Sequence, residues 1–184
     1  MIVDITLKVT PKIVNDASGA EKKVLSGHVG THFDVMNKEF PLEFLERKGL
    51  VFDVKGIFER DIEISDIDMS MVKEGMFVAF YSGYIEQVEY GTKEYFTNHP
   101  QLSDELIEAL LEKKVSIIGV DFAGIRMGKE HTPKDQYCAD RGAFVVENLV
   151  NLDKLVGLED VVISTYPINY EKMTGLPCRV VARG

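Results

Sequence analysis

The sequence predicts an α/β domain built on a mixed sheet, and three observations carry that prediction. Short apolar runs at residues 76–81, 115–120 and 143–146 read as strands buried on both faces. Capped helical segments lie between these runs, which gives right-handed βαβ units and parallel pairing. The first half is richer in strand than in helix, which adds antiparallel pairing.

The elements follow in order. Residues 3–9 alternate apolar and polar side chains and read as a strand, and the polar residues 15–19 read as a turn or loop. Residues 41–48 read as a short helix, with Pro41 at its first position and Gly49 as its cap. Residues 50–54 and 57–64 read as strands, followed by the buried strand at 76–81. Ser103 is an N-cap, with Asp104 and Glu105 in the first turn where negative charge suits the helix dipole. Leu106, Ile107, Leu110 and Leu111 form its apolar stripe, and Lys113 and Lys114 close it. A strand at 115–121 ends in Asp121. Thr132 then caps a helix with Pro133 first and Asp135 third, and Gly142 ends it. A strand at 143–147 ends in Glu147, and strands at 161–164 and 178–182 complete the chain. Ligands gather at the carboxyl ends of parallel strands, so Asp121 and Glu147 are candidates on position alone.

Length and composition bound the function. The 184 residues suit one domain, residues 1–184, large enough to bury a core without disulfides. Hydrophobic residues make up 45 % and charged residues 28 %, so the chain is not disordered by composition. A net charge of −9 argues against nucleic acid and anionic membrane surfaces as partners. Cys138 and Cys178 form no CxxC and read as buried, reduced thiols. The N-terminus lacks the basic start of a signal peptide, and no apolar run reaches 18 residues, so the cytoplasm is the expected location.

The chemistry concentrates in His28-Val29-Gly30-Thr31-His32-Phe33-Asp34, which holds two of the four histidines. Gly30, Thr31 and Phe33 disfavour a helix, so an extended reading is preferred, in which positions 28, 30, 32 and 34 share one face. Two imidazoles and a carboxylate then converge, with Gly30 leaving room between them. Such a set suits zinc, manganese or iron(II). No GxSxG elbow, GxGxxG or Walker loop is present. Tyr81, Tyr84, Tyr90, Tyr95 and Phe96 either line an aromatic pocket or pack in the core.

This stretch resembles the HxGTHxDxPxH motif of the putative cyclase family, which includes kynurenine formamidases (arylformamidases) and isatin hydrolases. Asp4-Ile5-Thr6, the Gly119-Val120-Asp121 strand end and the Glu147-Asn148-Leu149 segment resemble further family motifs, in the family's order. The resemblance implies a barrel-like mixed sheet flanked by helices in a homo-oligomer, a dimer or tetramer. It implies one or two zinc or manganese ions, with His28, His32 and Asp34 as ligands. In two-metal members the aspartate bridges to a second ion held by a later histidine and by the glutamate at Glu147. The implied reaction is hydrolysis of a small-molecule amide of the N-formylkynurenine type, associated with tryptophan catabolism.

Three departures fall at the site. The motif proline is Met36, the proton-shuttle histidine is Lys38, and the later metal histidine aligns with Asp135. Lys38 either shuttles protons with a lowered pKa, or stays charged and binds an oxyanion or substrate carboxylate, or points into solvent. Asp135 either binds metal or caps its helix, and His131 is a second source of the missing imidazole. His99 reads as a loop histidine. Two alternatives remain beside the hydrolase: a metal- or small-molecule-binding member that has lost hydrolysis, and an enzyme acting on another lactam or lactone.

Overall fold

A computed structural model describes residues 1–17 and 26–184. Eight strands are present among them: β1 (Ile2–Asp4), β2 (His32–Asp34), β3 (Glu46–Asp53), β4 (Phe77–Tyr81), β5 (Ile117–Val120), β6 (Phe144–Glu147), β7 (Val162–Pro167) and β8 (Gly175–Arg183). The helices are α1 (Pro11–Ala17), α2 (Tyr84–Gln87), α3 (Lys93–Thr97), α4 (Asp104–Glu112) and α5 (His131–Asp140). The sheet order is β1-β8-β2-β6-β5-β4-β3-β7, and β7 also pairs with β8. Seven strands therefore close into a ring, with β1 added on β8. Pairing is parallel from β3 through β4 and β5 to β6, and antiparallel elsewhere.

Period-two alternation divides the apolar side chains between two cores. Phe77 and Ala79 of β4, Ile117 of β5 and Phe144 and Val146 of β6 pack inside the ring with Phe33, Ile163, Val180 and Ala182. Val78, Phe80, Ile118, Val120 and Val145 face outward and pack under Leu106, Ile107 and Leu110 of α4. Closure of the ring removes the unpaired edges that an open sheet presents.

Several sequence-based expectations are corrected. The strand at 3–9 is only β1, and the chain then meets Leu149 through an isolated bridge at Thr6. Residues 15–17 belong to α1, while positions 18 and 19 of the expected turn lie outside the described residues. The helix at 41–48 is one 3-10 turn, Leu42–Phe44, and β3 already begins at Glu46 because residues 46–48 pair with β7. Gly49 is a mid-strand residue, since a Cβ there would lie 2.7 Å from the Ile163 side chain. Residues 57–63 form no strand beyond a single bridge from Ile62 to Leu102, and Ile64 opens a 3-10 turn. Ser103 does cap α4, accepting from Leu106 N–H. Both cysteines are free and buried, and burial pushes the Cys138 thiol up to about 12.

Candidate metal centre

The candidate site lies on the outer face of β2 and β6. Phe33 and Val146 point into the ring, so their neighbours His32, Asp34 and Glu147 point away from it. The antiparallel register sets His32 directly opposite Glu147, and Asp34 opposite Val145. Two ligand-type side chains from distant sequence thus become cross-strand neighbours. His32 Nε2 lies 3.6 Å from Glu147 Oε2 and 3.7 Å from Asp34 Oδ1.

His28 arrives differently from the extended face that the sequence suggests. Strand β2 covers only His32–Asp34, and the chain before it turns at Gly30 with φ +72°. That turn brings His28 Nε2 to 2.9 Å from Asp34 Oδ1. It packs closely on β8: a Cβ on Gly175 would stand 2.9 Å from the His28 ring, so only glycine fits there. The other ring nitrogen, His28 Nδ1, is 2.9 Å from Ser26 Oγ.

His32 is held for a single task. Its Nδ1 meets the Gly30 carbonyl at 2.9 Å, which assigns the proton to Nδ1 and leaves the Nε2 lone pair free. Burial lowers its pKa despite the attraction of Asp34, so the ring is neutral. The Gly30 carbonyl is itself fixed by Asn148 Nδ2 at 2.9 Å, and Asn148 Oδ1 accepts from the Tyr95 hydroxyl at 2.8 Å. Gly30 N–H donates to the Tyr90 hydroxyl. Sequence reasoning named Tyr90 and Tyr95 only as an aromatic pocket or core. Their hydroxyls support the histidine loop.

Helix α5 supplies the rest. It begins at His131, not after Thr132, and its N-cap residue Glu130 makes no side-chain cap bond. Asp135 is therefore not a cap. It lies one turn into the helix, 2 % exposed, and neither of its carboxylate oxygens has a hydrogen-bond partner. The i,i+4 spacing places His131 on the same face. His131 Nε2 stands 3.2 Å from Asp135 Oδ2 and 3.3 Å from Glu147 Oε1, though neither approach is aligned as a hydrogen bond.

Two groups of donors result: His28, His32 and Asp34, and Asp34, His131, Asp135 and Glu147. Within each group the donor atoms lie within 4.8 Å of one another, and Asp34 belongs to both. Burial first, then Glu147, raises the Asp34 pKa. Burial and then Asp34 raise Asp135 well above the usual carboxylate range. Burial opposes a charge on His131, but Glu147, Asp135 and Asp34 together lift it to about 10. These are the signs of a cluster that is short of positive charge.

The other named residues stand elsewhere. Lys38 is placed at Asp140, with Nζ 2.7 Å from Oδ1 and both side chains partly exposed. Asp121 accepts from Ser82 and Gly83 and has no free oxygen. His99 is buried, stacks on Phe122 and meets the Pro100 carbonyl through Nδ1. Neither of two surface clefts, one lined by Asp61, Glu63 and Glu105 and the other by Lys129 and Tyr137, includes a residue of the cluster.

Comparison with known proteins bears on the fold and the family. No curated protein matches the chain. Isatin hydrolase A from Labrenzia aggregata, bound to benzyl benzoate, has the same fold at a TM-score of 0.75 and 18 % identity, over 99 % of this chain and 93 % of that one. A protein described as a potential metal-dependent hydrolase with cyclase activity gives 0.73 and 19 %, over 99 % and 96 %. An isatin hydrolase bound to the product analogue thioisatinate gives 0.70 and 20 %, over 84 % and 71 %. The family model described as putative cyclase matches residues 3–125, which run from β1 past β5 and contain the whole His28–Asp34 segment. With more than half of the chain matched, this protein belongs to the putative cyclase family.

Proposed function

We propose that the chain is a metal-dependent hydrolase of amide C–N bonds, acting on a small formamide or lactam of the N-formylkynurenine or isatin type. One observation carries this reading. Six buried side-chain polar atoms among the described residues lack a partner. Apart from Arg47 Nε they are His32 Nε2, Asp34 Oδ2, both Asp135 oxygens and Glu147 Oε1. Leaving carboxylates buried and unpaired costs several kcal/mol. Nitrogen and oxygen lone pairs concentrated in this way fit divalent cations.

When bound, such ions supply Lewis acidity and acidify water to a pKa near neutrality. The residues of the chain do the holding and orienting. Gly30 fixes the His32 tautomer, so that Nε2 faces the cluster. Asp34 is shared between the two donor groups and keeps them adjacent. His28 and His131 are the partly exposed members, so a small substrate approaches on their side. The reading includes a homo-oligomer in the cytoplasm, and sedimentation tests the assembly.

A second reading has one observation in its favour. The leaving nitrogen needs a proton, and the shuttle position holds Lys38, which is engaged by Asp140. A member that binds ions without hydrolysis would look the same. The deciding experiment reconstitutes the protein with zinc or manganese and offers N-formylkynurenine and isatin, with His32→Ala beside it. We expect turnover in the parent, lost together with ion content in the variant. Turnover that survives ion loss overturns the metal-dependent reading. Bound ions with no turnover of any formamide, lactam or lactone establish the second.

A further inference from the structure

The two donor groups differ in kind. His28, His32 and Asp34 offer two imidazole nitrogens and one carboxylate, while Asp34, His131, Asp135 and Glu147 offer three carboxylates and one imidazole. Asp135 makes the difference. The helix does not need it as a cap, it is buried, and both of its oxygens are unspent. Nitrogen-rich sites favour zinc-type ions, whereas carboxylate-rich sites favour harder, oxygen-seeking ions. Magnesium prefers to keep several waters and is seldom held by a dedicated protein cage, so manganese(II), which tolerates one imidazole among carboxylates, fits the second group best.

We propose that the two subsites are chemically unequal: His28, His32 and Asp34 select a zinc-type ion, Asp34, His131, Asp135 and Glu147 select manganese(II), and Asp135 sets the difference. This rests on the metal-centre reading above and adds which ion each half takes. Three carboxylates converge on the second subsite, and two of them, Asp135 and Glu147, belong to it alone. A dication there meets three carboxylates, whereas the first subsite offers one carboxylate and two imidazole nitrogens.

The test strips the full chain with chelator and titrates it separately with zinc and manganese. Calorimetry counts the steps, and the electron paramagnetic resonance of manganese follows its binding directly. We expect two steps, with the zinc-over-manganese affinity ratio at least about tenfold smaller at one of them. That step disappears in Asp135→Asn and persists in His28→Ala. Asp135→His raises its zinc preference by about tenfold or more. If the bulkier histidine prevents folding, the near-isosteric asparagine variant still decides. Equal ratios at both steps, or a second step that survives Asp135→Asn, overturn the inference and leave the metal centre standing. No uptake of either ion overturns both.

Discussion

Asp121 and Glu147 leave adjacent parallel strands at the same end of the sheet, and both are buried. They do opposite things. Asp121 spends its lone pairs: Oδ1 accepts from Ser82 N–H and Oγ, and Oδ2 accepts from Gly83 N–H at 2.7 Å. Its work is to hold the turn after β4. Glu147 Oε1 has no hydrogen-bond partner and is grouped with Asp34, His131 and Asp135, His131 Nε2 standing 3.3 Å away. Position and burial are shared, so neither separates a structural carboxylate from a ligand. The accounting of lone pairs does.

Exchanging the consequences of these two residues is the most direct way to break the comparison. Glu147→Gln should lower kcat/KM by at least about a hundredfold, or about 3 kcal/mol, and reduce ion content. In chelator it should lower the melting temperature less than Asp121→Ala does, because Glu147 Oε1 has no hydrogen bond to lose and only its attraction for His131 is removed. Asp121→Ala should do the reverse. It leaves Ser82 and Gly83 N–H buried without acceptors, at a cost of about 3 kcal/mol in unfolding free energy. Ion content per folded chain should stay the same. If Asp121→Ala loses ions while keeping its stability, the two carboxylates share one function and the distinction fails.

The response of the ion-free protein to pH sharpens the same contrast. Burial raises Asp121 to about 6, so the folded state keeps a proton that the unfolded chain gives up near pH 4. That contribution is present at low pH and is lost as pH rises through 6. Asp34 and Asp135, also raised, act in the same direction. His99 opposes them. Burial lowers it to about 4, so the unfolded chain takes a proton below pH 6.5 that the folded state refuses, and stability falls as pH drops. Above neutrality His131 dominates. Held at about 10, it contributes stability in full below pH 6.5 and loses it as pH rises through 10. In chelator, the urea midpoint should fall between pH 7 and 10, and His131→Gln should flatten that fall. Excess manganese should flatten it too, since the ion replaces the imidazolium charge.

The sequence displayed the first donor group and half-hid the second, for physical reasons. His28, His32 and Asp34 lie within seven residues, so local spacing alone suggested convergence, although a turn at Gly30 delivers His28 and not a straight strand. Glu147 was visible at a strand end, but Asp121 looked equivalent because side-chain partners are invisible in a sequence. His131 and Asp135 were obscured by one residue. Starting the helix after Thr132 made Asp135 an N3 cap and left His131 outside, whereas a start at His131 puts both on one face. The signal was the HxxxD spacing itself. The fold behaved similarly: buried strands β4, β5 and β6 and the Ser103 cap were legible. Residues 46–49 were not, because Pro41 and Gly49 mimic helix punctuation while Gly49 is small to admit Ile163.

Asn148 gives a smaller effect that links the two halves of the site. Its φ of +59° suits asparagine, and its amide joins the Gly30 carbonyl to the Tyr95 hydroxyl. Because Gly30 in turn orients His32, Asn148→Ala should weaken ion affinity at the first subsite by about tenfold. It should cost about 1–2 kcal/mol in stability. Loss of affinity at the second subsite alone would show that Asn148 acts through Glu147 and not through His32.

Lys38 should give the smallest effect, and it carries the sharpest consequence. Met36 sits at φ +57° in a turn closed by Lys38 N–H to the Val35 carbonyl, and Met36 N–H donates to the Thr174 carbonyl at 3.0 Å. Proline can adopt neither that φ nor that hydrogen bond. The left-handed turn at Met36, which proline cannot adopt, leads directly to Lys38, whose side chain reaches Asp140 on α5. A half-exposed pair of this kind contributes about 0.5 kcal/mol or less. Lys38→Ala should leave stability within that margin and kcat within about twofold. A hundredfold loss of kcat with an altered pH profile would mean that the turn reopens in the working enzyme and that Lys38 takes the missing histidine's part. An unchanged profile would place proton delivery among groups already at the cluster.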